Sequence, residues 1–267
     1  MSSTSTGGSA NASSAPGAIV SGMSVDVEDY FQVSALEGSF NREDWDSVPC
    51  RVEANMDRVL ALFDSHGVKS TFFMLGWVAE RYPQMVRRIV DEGHELASHG
   101  YQHIRATQQT PDEFRADVSH TKALLEDMSG KAVLGYRAAS YSIMKENLWA
   151  LDVLAETGHV YSSSIFPIHH DLYGIPDASR FPFRHQGDGI LEIPMTTVQW
   201  MGRRLPAAGG GWFRFYPYPV SRWALNKFMR DENKPAVFYF HPWEVDPAQP
   251  RVEGLPAKSR FRHYLNL

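Results

Sequence analysis

The chain has 267 residues, 43% of them hydrophobic, a formal net charge of −5 and one cysteine. That length and apolar content suit one large α/β domain with ample core, and the lack of a basic stripe argues against a nucleic-acid partner. The lone Cys50 excludes an internal disulfide and a cysteine-rich zinc site, and no apolar run approaches the roughly 18 residues of a membrane helix.

Residues 1–18 are rich in Ser, Thr, Gly and Ala, with neither a charged n-region nor an apolar h-region. They read as a disordered leader rather than a signal peptide, which makes a cytoplasmic location the default, and residues 19–267 read as one domain. Residues 19–27 have the branched apolar pattern of a buried strand, ending in the acidic run Asp26-Val27-Glu28-Asp29. Met56, Val59, Leu60 and Phe63 recur at helical spacing over 53–65, and Gly67 stops that helix. A second strand spans 70–75. A helix follows over 83–92, opened by Pro83 and closed by Gly93, and a third strand covers 94–98.

That strand leads into His99-Gly100-Tyr101-Gln102-His103. A four-residue spacing on a helix puts both imidazoles on one face. Thr110-Pro111-Asp112-Glu113 is a capping box that opens a helix running to about Met128. A fourth strand, 132–136, ends at Arg137. A helix over 145–157 turns Leu148, Leu151 and Leu154 inward. Residues 160–218 read as irregular with short strands at 190–193 and 197–201. Residues 220–230 are helical, and 236–240 form a last buried strand ending at His241. This alternation predicts parallel strands with helices outside. Asp26, His99, Arg137 and His241 fall at strand C-terminal ends, the face that carries chemistry in an α/β barrel.

Asp26 and Glu28 lie two apart at a strand end, so both side chains can point to one side. One can ligate a metal while the other takes a proton, with Asp29 the rival ligand if the chain turns sharply after Val27. Two histidines and a carboxylate leave room for water on a hydrolytic divalent metal. His241 is a candidate general acid, and Arg137 can hold a catalytic carboxylate by a bidentate pair. Tyr141, Trp212 and Trp243 lie in loops where they can line a sugar groove, whereas Trp149 reads as helix core.

These motifs resemble the NodB-type polysaccharide deacetylases, carbohydrate esterase family 4. Asp26-Val-Glu28, His99-Gly-Tyr-Gln-His103, Arg137-Ala-Ala-Ser-Tyr141 and Phe240-His241 fall in that family's order. Asp26 to Phe31, Ser163 to Ile168, His170 to Pro176 and Gly209 to Arg214 are similar to the branch found beside exosortase and exopolysaccharide gene clusters. The resemblance implies a distorted (β/α) barrel, one divalent metal, most often zinc, and hydrolysis of N-acetyl groups from a hexosamine-containing polysaccharide or oligosaccharide. It implies Asp26 as general base, Glu28, His99 and His103 as metal ligands, Arg137 as the residue orienting the base, and His241 as general acid. The Ser140 N–H would complete the oxyanion hole. Three departures stand out. Glu28 takes the metal-carboxylate role where the more usual family motif has adjacent aspartates, which leaves Asp29 as its competitor. Ala139 replaces a proline, which implies a less rigid loop. Ser162 replaces the aspartate that supports the general-acid histidine, which implies a lowered His241 pKa unless Asp171 or Asp177 fills the gap. Relatives also continue beyond Leu267 with another helix. Rival readings are hydrolysis of another C–N bond such as a cyclic ureide, glycoside cleavage, and a non-catalytic glycan-binding descendant. The sequence leaves the oligomeric state open.

Overall fold

The computed structural model describes residues 19–267, so the leader expected over 1–18 lies outside the described residues. The chain runs β1 (Gly22–Val27), α1 (Val52–Ser65), β2 (Thr71–Met74), α2 (Gly76–Arg81), α3 (Pro83–Asp91), β3 (Glu95–Ser98), α4 (Pro111–Ser129), β4 (Gly135–Tyr136), α5 (Trp149–Glu156) and β5 (Tyr161–Ser162). It continues through β6 (Phe183–Arg184), β7 (Leu191–Glu192), β8 (Thr197–Trp200), β9 (Arg203–Pro206), α6 (Gly210–Phe215), α7 (Tyr218–Glu232), β10 (Val237–Phe240) and α8 (Ala257–Tyr264).

Eight strands form one sheet in the order β10-β1-β2-β3-β4-β5-β7-β6, parallel except for the antiparallel β6 at one edge. The sheet curls into a distorted (β/α) barrel whose edges, β6 and β10, do not pair. Val25, Val27, Phe72, Met74 and Leu96 pack with α1 and α3 in the largest buried cluster. Phe114, Val118, Leu151 and Leu154 form a second cluster beneath α4 and α5. Burial on the helix side drives these strands toward continuous apolar runs. Trp149 packs edge-on against Phe114 in that second cluster, with ring centroids 5.7 Å apart.

The capping box opens α4: Thr110 Oγ1 accepts from the Glu113 N–H, and Glu113 Oε2 accepts from the Thr110 N–H. Gly130, at φ +63°, closes it. Three differences from the sequence reading have local causes. Residues 76–81 form α2, which the sequence analysis left unassigned; Pro83 separates it from α3 by removing an N–H at the junction. The helix expected from residue 145 begins as a 3-10 turn and becomes α-helical only at Trp149. The histidine pair lies on a loop rather than a helix: Gly100 and His103 both take left-handed backbone angles, φ +75° and +53°. In the region read as irregular, β8 and β9 make a hairpin around Met201-Gly202, both at positive φ.

Candidate active site

The C-terminal ends of β1, β3, β4 and β10 meet at one end of the barrel and surround a hollow of about 140 Å3. Period-two alternation sends Asp26 and Glu28 to the same side, and both are 2% exposed. Asp29 turns the other way. Its carboxylate accepts from the Tyr30 N–H and from the Arg51 and Val52 N–H groups at the start of α1. It is a cap, occupied by backbone donors, and burial raises its pKa against their opposing effect.

Glu28, His99 and His103 each offer a ligand atom within 4.8 Å of the others, and all three are buried. Glu28 Oε2 lies 3.0 Å from His103 Nε2 yet makes no hydrogen bond of acceptable geometry. Two acceptor atoms facing one another across 3 Å in a buried site suit a cation between them. Burial opposes the Glu28 charge, but His103 and His241 outweigh it and hold its pKa at about 2. Burial lowers His99 to about 4, so its imidazole is neutral at pH 7, the state that ligates. His99 Nδ1 is 2.8 Å from the Arg137 carbonyl oxygen, which leaves Nε2 for the site. The donor set fits a divalent metal such as zinc.

Arg137 is 1% exposed. Its Nη1 donates to Asp26 Oδ1 at 2.5 Å and to Ser24 Oγ at 2.9 Å, while Nε and Nη2 donate to the Ser163 carbonyl and hydroxyl. The pair with Asp26 therefore uses one guanidinium nitrogen, not the fork expected from sequence. The other nitrogens are spent on Ser163, and the guanidinium lies over the Phe73 ring at 4.0 Å. Asp26 Oδ2 is left toward the hollow, 3.9 Å from His241 Nε2.

His241 has a carboxylate partner that the sequence analysis missed. Its Nδ1 is 3.0 Å from Glu244 Oε2, which also accepts from the His241 backbone N–H at 2.9 Å. Its Nε2 faces the hollow, 3.3 Å from Glu28 Oε1. Burial alone lowers the His241 pKa; Glu244 and then Glu28 more than reverse this and carry it up to about 9. The expected lowering is thus overturned. Ser162 does not face His241: it is fully buried, and its Oγ donates to Ser164 Oγ at 2.8 Å. Nor do the suggested substitutes reach His241. Asp171 pairs with Lys258 and Arg262, and Asp177 with Lys145. The signal in the sequence was His-Pro-Trp-Glu, a capping-box spacing that returns the Glu244 side chain to the histidine backbone.

Glu244 is itself held. Arg214 Nε donates to its Oε1 at 3.0 Å, and Arg214 Nη1 donates to the carbonyls of His263 and Leu265 at the end of α8. A Cβ on Gly210 would sit 1.8 Å from Glu244 Oε2, so only glycine lets α6 approach this carboxylate. Trp243 stacks on His241, centroids 5.1 Å apart, and its Nε1 points at Glu28 Oε1 at 3.5 Å.

Ser140 and Tyr141 both take φ +53°, forming the turn after β4. Ser140 Oγ pairs with Ser34 Oγ at 2.5 Å. Ala139 is buried, and the turn is tied by the Ala138 N–H to Ser164 Oγ and by the Tyr141 N–H to the Ala138 carbonyl. These bonds hold the loop where the sequence suggested looseness. Tyr141 and Trp243 line the hollow; Trp212 does not, and lies in an adjoining cleft. Cys50 is half-buried, and burial raises its thiol pKa.

Residues 44–161 match the family model described as polysaccharide deacetylase. Over that segment the chain is similar to polysaccharide deacetylases. Residues 163–267 match a domain of unknown function, DUF3473, so that β2, β3 and β4 of the first match and β6, β7 and β10 of the second share one sheet. Over 96 residues the chain is 34% identical to a peptidoglycan-N-acetylglucosamine deacetylase of Bacillus cereus, covering 36% of this chain and 35% of that one. It is 32% identical over 97 residues to a chitooligosaccharide deacetylase of Bradyrhizobium, covering 36% and 42%. The chain spans about two-fifths or less of the length of the curated relatives it matches first. Among solved structures, a Mycobacterium smegmatis protein assigned as a polysaccharide deacetylase superposes with a TM-score of 0.61 at 22% identity, covering 92% and 82% of the two chains. Puue allantoinase superposes at 0.57 and 17% identity, covering 92% and 82%. Both share the fold of this chain. No helix among the described residues is long and apolar enough to cross a membrane.

Proposed function

We propose that the protein hydrolyses N-acetyl groups of a hexosamine-containing polysaccharide or oligosaccharide, releasing acetate and a free amine, with one divalent metal, zinc, held by Glu28, His99 and His103. The observation that carries this reading is the partnerless buried oxygen of Glu28 facing two imidazoles, flanked by a tethered carboxylate and a tethered histidine. The chemistry such an ion supplies is charge stabilisation at an acyl oxygen and acidification of water.

The chain's own residues supply the proton transfers. Asp26, held at Oδ1 by Arg137, presents Oδ2 to the hollow and takes a proton from the attacking water. The Ser140 N–H lies on the turn beside the hollow and donates to the oxyanion that forms on the acyl oxygen. His241, fixed at Nδ1 by Glu244, carries its other proton at Nε2 and passes it to the departing amine as the C–N bond breaks. Water thus adds a hydroxyl to the acyl carbon and a proton to the nitrogen. Tyr141 and Trp243 wall the reacting sugar.

The test is acetate release from N-acetylglucosamine oligomers by zinc-loaded and chelator-stripped protein, with metal content measured in both. Zinc-dependent release, at least about 100-fold lower in Asp26→Asn at unchanged metal content, is expected. Ring opening of a cyclic ureide without acetate release would replace the reading with the rival C–N hydrolysis, and oligomer binding without turnover would replace it with a glycan-binding role.

A further inference from the structure

The hairpin of β8 and β9, together with α7, presents an apolar surface that the active site does not use. Trp200 ends β8 and Met201 follows in the turn, 48% and 81% exposed. Trp223 of α7 is also exposed and meets Trp200 edge to face, with ring centroids 5.8 Å apart. Val220, three residues before Trp223, is exposed on the same side of α7. Adjoining exposed apolar side chains mark an interaction surface in a way that scattered ones do not. Met201 has no structural reason to be apolar. Its φ of +47°, with +75° at Gly202, belongs to a tight two-residue turn that Asn, Asp or Gly adopts at less cost. A methionine there serves neither the turn nor the core, so what it contributes is apolar surface at the tip.

The same stretch is basic. From Thr197 to Lys234, seven Lys and Arg stand against Asp231 and Glu232, a surplus of +5 in a chain whose total is −5. The whole-chain charge hides this local excess. Glu232 pairs with Arg180, and Asp231 is shared by Lys227 and Arg230. Arg214 is spent on Glu244, and Arg204 on the Pro176 and Ala178 carbonyls. Arg203, Arg222 and Lys234 are exposed, and none has an acidic partner among the described residues. Arg203 stands opposite Trp200 in the hairpin register, and Arg222 immediately precedes Trp223.

We infer that this surface docks on an anionic phospholipid bilayer, with Trp200, Met201 and Trp223 among the headgroups and Arg203 and Arg222 on lipid phosphates. The indole ring, apolar except for one N–H, settles at the membrane–water interface. Arginine keeps its guanidinium at the phosphates while its stem lies along apolar surface. The local surplus of positive charge complements an anionic leaflet. Charge also selects this occupant over a second copy of the chain, because a two-fold contact would set the patch against itself, cation facing cation. The contact is peripheral: no helix among the described residues is long and apolar enough to span a bilayer. Such docking is independent of what the hollow catalyses.

The test is flotation of the full chain with vesicles of phosphatidylcholine alone and with vesicles of equal parts phosphatidylcholine and phosphatidylglycerol. Binding to the anionic vesicles only is expected, with loss of tryptophan emission when the lipid acyl chains carry bromine. Trp45, Trp77 and Trp243 are buried, so the quenching should come from the surface indoles and shrink in Trp200→Ser. Met201→Asp is expected to lower partitioning by at least about tenfold. Arg203→Glu and Arg222→Glu should each lower it by at least about fivefold. All four positions are exposed, and thermal unfolding confirms that the variants fold. No binding to anionic vesicles would overturn the inference. Binding that Met201→Asp leaves undiminished would do the same, since it would be adsorption by charge alone. A dimeric wild type with a monomeric Met201→Asp, by light scattering, would give the face to a second copy instead. Stronger retention on duplex DNA than on anionic vesicles would give it to nucleic acid.

Discussion

Gly210→Ala offers a sharp probe of the His241 environment because it changes neither a titratable group nor a metal ligand. A Cβ there would stand 1.8 Å from Glu244 Oε2, 2.4 Å from its Cδ and 2.6 Å from Oε1. Ordinary contact begins near 3.4 Å, so the carboxylate or the helix must retreat by roughly 1.6 Å (3.4 − 1.8). The same Oε2 holds His241 Nδ1 at 3.0 Å and the His241 N–H at 2.9 Å, and both bonds would be stretched past useful length. Arg214, buried against Oε1, opposes the shift by resisting separation of the ion pair. Overpacking of this kind costs about 1–3 kcal/mol, and a displacement of about 1 Å in a positioned group costs about 100-fold in rate. The expected result is therefore a fall in kcat/KM of about 100-fold for acetate release, a modest loss of thermal stability, and unchanged zinc content. Gly211→Ala is the matched control. A Cβ there meets nothing within 4 Å, so the same substitution in the same helix should gain about 0.5–1 kcal/mol of stability. Near-wild-type kcat/KM in folded Gly210→Ala, or an equal loss in Gly211→Ala, would refute the argument that Glu244 positions His241.

Glu28→Gln and His103→Ala should each lose most of the metal, measured by elemental analysis after dialysis, whereas Asp29→Asn should retain it and instead lower thermal stability by weakening the cap on α1. Full occupancy in Glu28→Gln would overturn its place as ligand. Ser162→Asp should destabilise the fold without moving the alkaline limb of the pH–rate profile, because it adds a buried charge beside Ser164 and Glu192, away from His241. An upward shift of that limb would show that position 162 does reach the histidine. Asp117 has its pKa raised to about 6 by burial, against the opposing Tyr101 N–H. A raised acid pKa means that the folded state carries a penalty above about pH 6 that fades as pH falls toward the unfolded value near 3.8. Asp117→Asn keeps an acceptor for Tyr101 and should add about 1 kcal/mol at pH 7, after discounting for partial exposure, and little at pH 4 by urea denaturation. An equal gain at both pH values would exclude linkage as the cause.

The sequence by itself determined the strand–helix alternation and the strand ends at which Asp26, His99, Arg137 and His241 stand, because burial on both faces writes continuous apolar runs and a polar residue marks where each run stops. It determined α4 as well, since Thr110, Pro111, Glu113 and Gly130 satisfy the helix termini locally. Whether Glu28 or Asp29 faces the histidines was open at that level, since the two are neighbours of the same chemistry. Only the tertiary structure decided it, by bringing the N-terminus of α1, more than 20 residues on, against Asp29. The partner of His241 was undecided for the same reason. Position 162 looked vacant in one dimension, but Gly210 at the start of α6, Arg214 and the carbonyls at the end of α8 converge in space to hold Glu244 against the imidazole. Local hydrogen-bonding and burial patterns are legible along a chain; which of two similar side chains meets a distant partner depends on contacts between segments far apart in sequence, which exist only once the sheet has assembled.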